Sequence, residues 1–398
     1  MLGATDEGFA MTPVIPGCER LGDRLRGRRY GLVANPASVT RTLVHVADHL
    51  RLVSGGTLGA LFGPQHGFLS TLQDNMIETP HAHDVYRSVP VFSLYSDTRE
   101  PTSDMLADLD VLVVDLQDVG TRVYTFVYTM ANCLKAAAKV DLPVIVCDRP
   151  NPIGGMGVEG PMLEPGLESF VGQFPIPLRH GMTIGEVAWL FNDYFELNAP
   201  LEVVTMEGWT RATYLDETGV PWVMPSPNMP TLDTAMVYPG AVLFEGTQLS
   251  EGRGTTRPFE LIGAPWIDSV RLARTLNDLG LEGVFFRPIS FQPTFHKFEG
   301  QPCGGVQMHV TERDRFAPVL ASTALMSAMY QANPSRFAWR EPPYEYEHDK
   351  VPIDILAGTS RFREAIEAGF DARDLAASWR AGVGDFLEVR DRFLFYRT

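Results

Sequence analysis

The sequence predicts an α/β fold, with a Rossmann-like parallel-sheet N-terminal domain and a smaller C-terminal α/β domain. Short apolar segments alternate with helix-period segments through the first half of the chain, as in βαβ units. The chain has 398 residues, which is too long for one ordinary core. Regular periodicity also stops near residue 222 and resumes after residue 267. We therefore predict an N-terminal arm at 1–26, a Rossmann-like domain at 27–240 and a C-terminal domain at 241–398, with cleft-lining loops at 225–266.

The elements of the first domain follow from their apolar patterns. The run Val111–Val114 has no polar face, which indicates a strand buried on both sides of a parallel sheet. A helix is predicted at 183–194 because Thr183 and Glu186 have the spacing of a capping box. Further strands are predicted at 30–34, 58–62, 89–95, 143–148 and 201–206, and further helices at 43–50, 103–109 and 124–140. After residue 267, strands are predicted at 283–291 and 304–311, and helices at 318–331 and in the last forty or so residues.

Composition excludes several classes of partner. The formal net charge of −16 opposes nonspecific attraction to nucleic acid or to anionic lipid. No window approaches the ~18 apolar residues that a membrane helix needs. The N-terminus carries Asp6 and Glu7, where a signal peptide needs basic residues. The sequence therefore predicts a soluble cytoplasmic protein without a nucleic-acid or membrane partner, and it leaves the oligomeric state open.

Motifs for cofactors and metals are weak. Gly155–Gly160 matches the dinucleotide fingerprint GxGxxG, but Pro161 follows where a phosphate-binding helix should begin. His81, His83 and Asp84 offer metal ligands, yet they precede a strand, which favours a solvated loop. The four cysteines are scattered and contain no CxxC pair, which favours reduced, buried thiols. We predict no cofactor and no metal.

Polar clusters follow the predicted strands and supply many carboxylates. Because the carboxyl ends of parallel strands converge, these side chains are expected to line one crevice. Glycoside hydrolysis uses two such groups, one protonated and one ionised. The alternative is structural: acids at these positions also cap helices, bond loop amides or pair with a nearby arginine, as Glu251 would with Arg253. The carboxylates concerned are Asp115, Asp118, Glu159, Glu245 and Glu251.

Other side chains suggest substrate contacts. Arg122 and Arg253 are able to grip a carboxylate or phosphate through two parallel bonds. His66 and His180 lie beside glycines and would serve equally as ligand donors or as structural histidines. No Gly-x-Ser-x-Gly elbow occurs, so covalent serine catalysis lacks support.

Several long, irregular blocks of the sequence match those of a known family. The blocks are 35–38, 62–67, 115–125, 148–155, 158–161, 169–172, 179–186, 225–231 and 244–266. Through them, from about Gly31 onward, the chain resembles the exo-acting β-N-acetylmuramidases of peptidoglycan recycling, long called a domain of unknown function. The resemblance implies a cleft between the two domains and release of terminal N-acetylmuramic acid from the non-reducing ends of peptidoglycan fragments, without metal or nucleotide. It also gives the lactyl carboxylate of that sugar a partner in Arg122 or Arg253.

One block departs from the family pattern. The resemblance implies a Pro-Glu-His-Gly motif whose glutamate is the favoured catalytic acid, whereas this chain has Gln65 there. A glutamine amide holds a sugar hydroxyl but cannot protonate a leaving group at neutral pH. Either another acid has taken the role, with Asp74, Glu78 and Glu251 as candidates, or this branch binds sugar without efficient cleavage.

The sequence thus predicts a glycosidase, with a noncatalytic or altered carbohydrate-binding relative as the alternative and a Rossmann oxidoreductase as a weaker third. The substrate is predicted to be a small carbohydrate or peptidoglycan fragment. The predicted catalytic residues are Gln65, Asp74, Asp118 and Glu251. The predicted substrate-binding residues are Asn35, His66, Asp115, Arg122, Tyr124, Asn151, Glu159, Asn228, Glu245 and Arg253.

Overall fold

The computed structural model describes residues 13–74 and 76–398, and its main feature is a seven-stranded sheet. The strands are β1 (Arg29–Val33), β2 (Thr57–Gly63), β3 (Ala82–Asp84), β4 (Val89–Ser93), β5 (Val111–Val114), β6 (Val144–Cys147), β7 (Glu159–Met162), β8 (Pro177–Arg179), β9 (Leu201–Val204), β10 (Leu261–Ala264), β11 (Val284–Phe291) and β12 (Cys303–Val310). The large sheet has the order β3-β4-β2-β1-β5-β6-β9, and only β3 is antiparallel to its neighbour. The predicted parallel sheet is confirmed.

Helices pack on both faces of this sheet, and further helices lie in the C-terminal region. They are α1 (Val46–Val53), α2 (Ser103–Leu106), α3 (Phe126–Lys139), α4 (Ile184–Asp193), α5 (Leu232–Ala241), α6 (Ser269–Asp278), α7 (Pro318–Ala332), α8 (Pro352–Ala357), α9 (Arg361–Glu367), α10 (Ala372–Ser378) and α11 (Arg380–Arg390). Successive side chains of a strand point to opposite faces. Accordingly, Val113 packs with α1, whereas Leu112 and Val114 pack with α3. This two-sided burial explains the uniformly apolar run of β5.

Helix α5 lies in a stretch that the sequence predicted to be loop. It is buried almost throughout, contains Pro239, and packs against α7. A helix without a solvent-facing side has no polar stripe, so the 3.6-residue pattern disappears. The predicted domain boundary at residue 240 falls inside α5 and stays a prediction.

The C-terminal region contains a three-stranded antiparallel sheet in the order β10-β12-β11, with α6 packed on it. Strands β7 and β8 form a separate pair. Part of the predicted N-terminal arm, residues 1–12, lies outside the described residues, whereas Val14, Cys18 and Leu25 in its remainder are buried. In the part of the chain that the structure describes, no helix is long and apolar enough to cross a membrane.

Candidate active site

A pocket opens at the carboxyl edge of the central sheet, where the C-terminal half of the chain covers it. Its atom-free space, with the open solvent at its mouth included, is about 530 Å³. Six of the predicted site residues help to line it: Gln65, His66, Tyr124, Asn228, Glu245 and Arg253. Further polar lining comes from Thr125, Ser226, Tyr238, Tyr344 and Glu345. Side chains far apart in sequence therefore meet here.

Strand register brings Gln65 to this pocket. Gly63 of β2 pairs with Ser93 of β4, so Gln65 and Tyr95 each follow two residues beyond that pair. The Gln65 amide Nε2 lies 3.3 Å from the Tyr95 hydroxyl, and its Oε1 accepts a 2.7 Å hydrogen bond from Thr125. The amide is thus fixed on both sides, as a hydrogen-bonding group without a proton to release.

Glu345 contacts the same amide from the other half of the chain. Its Oε1 lies 3.4 Å from Gln65 Nε2, and its Oε2 accepts a 3.0 Å hydrogen bond from the Tyr95 hydroxyl. Burial raises the pKa of the Glu345 carboxyl to about 7. Glu345 also has a φ of 46°, in the left-handed region that is uncommon for residues other than glycine. A buried, strained carboxylic acid that is protonated near neutral pH has the properties of a general acid.

Glu345 is not among the site residues predicted from the sequence. It lies in a Pro-rich loop that follows no strand of the central sheet, and only the fold carries that loop across the sheet edge. The local signal was the alternation Tyr344-Glu345-Tyr346 after Pro342 and Pro343, an acid between aromatic residues in irregular sequence.

A second carboxylate, Glu245, is held by an arginine and a tyrosine. Arg253 Nη2 donates to its Oε1 at 2.6 Å, and the Tyr344 hydroxyl donates to its Oε2 at 2.7 Å. Gly252 and Gly254 both have a φ of 78°, and a Cβ on Gly254 would stand 2.6 Å from a backbone carbonyl oxygen. Only glycine fits these two positions, so the loop places Arg253 in the pocket through its glycine neighbours.

Glu251 is surrounded by cationic side chains and is not among the described residues that line the pocket. Its fully buried carboxylate lies 2.7 Å from Lys297 Nζ and 3.4 Å from Arg253 Nε. Lys297 is the foremost of the groups that lower its pKa, against the opposing effect of burial. A carboxylate held ionised in this way has no proton to donate, which argues against Glu251 as the replacement acid.

Arg122 lies away from the pocket. Its side chain is completely buried, and its guanidinium donates to the carbonyl oxygens of Pro161, Ile176 and Leu356 at 2.8–2.9 Å. These contacts tie the β7 and β8 segments to α8 and leave the head group outside the described pocket lining. This position gives no support to the prediction that Arg122 grips a substrate carboxylate, which stays a prediction.

The strand end after β5 is also structural. Asp115 forms a two-armed ion pair with Arg149 at 2.6 and 2.8 Å, and both side chains are buried. Asp118 Oδ2 accepts from the backbone N–H of Gly120 at 2.8 Å and lies 3.3 Å from His180 Nε2. Neither acid is in the described lining, so the predicted catalytic role of Asp118 and binding role of Asp115 lack support from position.

The remaining predicted residues mostly hold loops. The amides of Asn35 and Asn151 donate to the carbonyl oxygens of Pro225 and Met182. Glu159 accepts from two backbone N–H groups at the start of α7, which satisfies helix donors. Glu78 forms an ion pair with Arg99 at 3.2 Å. Of the described residues that line the pocket, none is Asn35, Asp74, Glu78, Asn151 or Glu159.

Metal and dinucleotide motifs take ordinary roles. His81 Nδ1 accepts from the backbone N–H of Ser93, and no group of three or more His, Cys, Asp or Glu among residues 13–74 and 76–398 is arranged to hold a metal ion. Gly157 of the GxGxxG match packs against the Arg179 guanidinium, where a Cβ would lie 2.4 Å from the guanidinium carbon. Gly155 lies against Arg211 in the same way, so both glycines make room for buried arginine side chains.

Comparison with known proteins yields consistent matches. A family model described as the N-terminal part of the exo-beta-N-acetylmuramidase NamZ matches residues 30–233, and the C-terminal part matches residues 236–396. The peptidoglycan beta-N-acetylmuramidase NamZ of Bacillus subtilis strain 168 is 46% identical over 373 residues, covering 94% of this chain and 88% of that protein. Crystal structures of two DUF1343 family proteins from Bacteroides fragilis NCTC 9343 align with TM-scores of 0.86 and 0.74, at 34% and 28% identity, each over 97% of this chain and 99% of theirs.

Proposed function

Since this chain belongs to the exo-β-N-acetylmuramidase family, we propose that it releases terminal N-acetylmuramic acid from the non-reducing ends of peptidoglycan fragments, with Glu345 as its catalytic acid. The observation that carries this proposal is the meeting of two different carboxyl groups, Glu345 and Glu245, in one pocket. The cytoplasmic location remains a prediction.

Glu345 supplies the proton in this mechanism. With a pKa of about 7, it is largely protonated below neutral pH and donates to the glycosidic oxygen as the bond to the leaving sugar breaks. Tyr95 and Gln65 hold its two oxygens in place. Gln65 is therefore a positioning residue, and its amide avoids the repulsion that a second carboxylate beside Glu345 would bring.

Glu245 supplies the second carboxylate. Its ion pair with Arg253 and its bond from Tyr344 keep both oxygens oriented within the pocket. In glycosidases such a group activates water or stabilises positive charge at the anomeric carbon. Two carboxyl groups in unlike environments, one buried beside neutral partners and one paired with a cation, match this division of labour.

Arg253 is the remaining candidate for the lactyl carboxylate. Its side chain is 7% exposed, and its Nη1 has no hydrogen-bond partner among the described residues. A buried guanidinium N–H without a partner is costly unless a ligand supplies the acceptor. A substrate carboxylate at this nitrogen would satisfy it.

Exchange of Arg253 for lysine tests this contact. The Arg253→Lys variant keeps the charge beside Glu245 but lacks the planar fork of donors. We expect its preference for 4-nitrophenyl N-acetylmuramic acid over the N-acetylglucosamine glycoside, measured as the ratio of kcat/KM values, to fall about tenfold or more. The two substrates differ only in the lactyl group, so an equal loss on both would refute docking by Arg253.

The carbohydrate-binding alternative is favoured by Gln65 alone, and a Gln65→Glu variant separates it from the proposal. If Glu345 is the acid, native protein hydrolyses the muramic acid glycoside. Gln65→Glu then lowers activity, because the variant lacks the amide donor that holds Glu345 Oε1. Inactive native protein with activity appearing in Gln65→Glu would instead establish the binding relative.

A further inference from the structure

Two cavities meet at His66. One is the pocket with Glu345 and Glu245, and the other is an open groove of about 1010 Å³ between the segment after β2 and the β3–β4 edge of the sheet. His66 contributes to the lining of both. A ligand longer than one sugar that extends from the pocket into the groove would pass this side chain.

The structure fixes the hydrogen-bonding state of His66. Its Nδ1 lies 2.8 Å from the carbonyl oxygen of Leu72, and a carbonyl only accepts, so Nδ1 carries the hydrogen. Burial lowers the pKa of the imidazole to about 4, which leaves the ring neutral at pH 7. Nε2 is therefore a bare acceptor. The backbone φ of 68° further indicates that the surrounding fold holds this residue in an uncommon conformation.

The groove beyond His66 is largely apolar. Phe68, Leu69, Leu72, Pro80 and Val91 contribute to its walls. Leu69 is 69% exposed, so its apolar side chain presents surface to the groove that a ligand could bury. Its acidic member, Asp84, is already engaged by Arg87 at 2.6 Å. Apolar walls with few free polar groups suit the carbon face of a sugar ring, whose hydroxyls lie at its edge.

We propose that this groove is the subsite for the leaving sugar and that His66 Nε2 accepts a hydrogen bond from one of its hydroxyl groups. The inference rests on the proposed function, since it assigns the part of the substrate beyond the cleaved bond. The shared lining residue His66 selects this occupant, because the leaving sugar departs from the pocket that contains Glu345. His66 is then a specificity residue for saccharide leaving groups.

Two substitutions distinguish the roles of Nδ1 and Nε2 of His66. His66→Asn retains an amide N–H near Nδ1 for the Leu72 carbonyl, lacks a group at the Nε2 position, and tolerates the positive φ. His66→Gln places an amide oxygen near Nε2 and gives up the Leu72 contact. With the disaccharide of N-acetylmuramic acid and N-acetylglucosamine, we expect kcat/KM to fall about five- to tenfold in His66→Asn and to be largely retained in His66→Gln.

The 4-nitrophenyl glycoside of N-acetylmuramic acid is the control substrate, because its leaving group has no hydroxyl donor. The loss of kcat/KM in His66→Asn should be clearly smaller on this glycoside than on the disaccharide. Equal losses on both substrates would show that His66 does not act on the leaving group. A loss in His66→Gln with none in His66→Asn would show that His66 acts only through Leu72. Either result would overturn the inference.

The groove itself is tested at Leu69. Leu69→Ser should raise the KM for the disaccharide several-fold, whereas Val85→Ser, at a site that is 85% exposed and outside the groove lining, should leave it unchanged. Equal KM values in both variants would remove the groove from the substrate path.

If native protein cleaves neither substrate, the proposed function fails, and calorimetric titration with intact disaccharide still decides the inference. Weaker binding by His66→Asn and Leu69→Ser supports it, and unchanged affinity overturns it.

Discussion

Glu345→Gln is expected to lower kcat for N-acetylmuramic acid glycosides by about a hundredfold to ten-thousandfold, the usual contribution of a positioned general acid. The substitution preserves the shape of the side chain and keeps an oxygen to accept from the Gln65 amide, while its N–H groups face the Tyr95 hydroxyl as donors. It has no acidic proton. Circular dichroism and a thermal melt would establish that the variant folds. A variant with near-native kcat would eliminate Glu345 as the acid.

The native pH profile provides an independent readout of the same carboxyl. Its folded-state pKa is raised, so the group is protonated and active as an acid below about 7 and loses that proton as the pH rises through about 7. We expect kcat to decline on the alkaline side of that value. The residual activity of Glu345→Gln should not show this alkaline decline in kcat. A decline that persists in the variant would arise from the titration of another group.

The leaving group offers a further control. 4-Nitrophenolate departs with little help from an acid, whereas a sugar alcohol requires protonation. Glu345→Gln should therefore impair hydrolysis of the disaccharide more than that of the nitrophenyl glycoside. Glu251→Ala is a poor substitute for this test, because it leaves Lys297 buried beside Arg253 and would disturb the loop that carries the arginine.

The sequence predicted features that depend on local residue patterns, and it did not predict features that depend on contacts between distant segments. The buried strand β5 was predictable because both faces of a parallel sheet require apolar side chains, and the α4 cap was predictable because Thr183 and Glu186 are local partners. Helix α5 was not, since complete burial removes the polar stripe. Family resemblance located Gln65, which follows a strand. Glu345 escaped because its importance arises only when its loop contacts Gln65 across 280 residues of sequence.

Charged residues at strand ends show the same limit. The position of Asp115, Asp118 and Arg122 after a predicted strand placed them near one edge of the sheet. It did not reveal which guanidinium would face a carboxylate and which would face carbonyl groups. In the structure, Arg149 takes the carboxylate of Asp115 and Arg122 takes three carbonyls. Burial and pairing thus decide between a structural and a binding role, and both depend on tertiary contacts.

Asp115→Ala is expected to lower the free energy of unfolding by about 3–5 kcal/mol, because it leaves the buried guanidinium of Arg149 without its counter-charge. Urea denaturation would show this as a lower midpoint with an unchanged slope. The double variant Asp115→Leu with Arg149→Met should lose less than the sum of the two single variants, since it removes the buried charges together. The folded fraction of Asp115→Ala should retain the native KM for the muramic acid glycoside. A raised KM with unchanged stability would return Asp115 to the substrate site and contradict the structural role of this strand end.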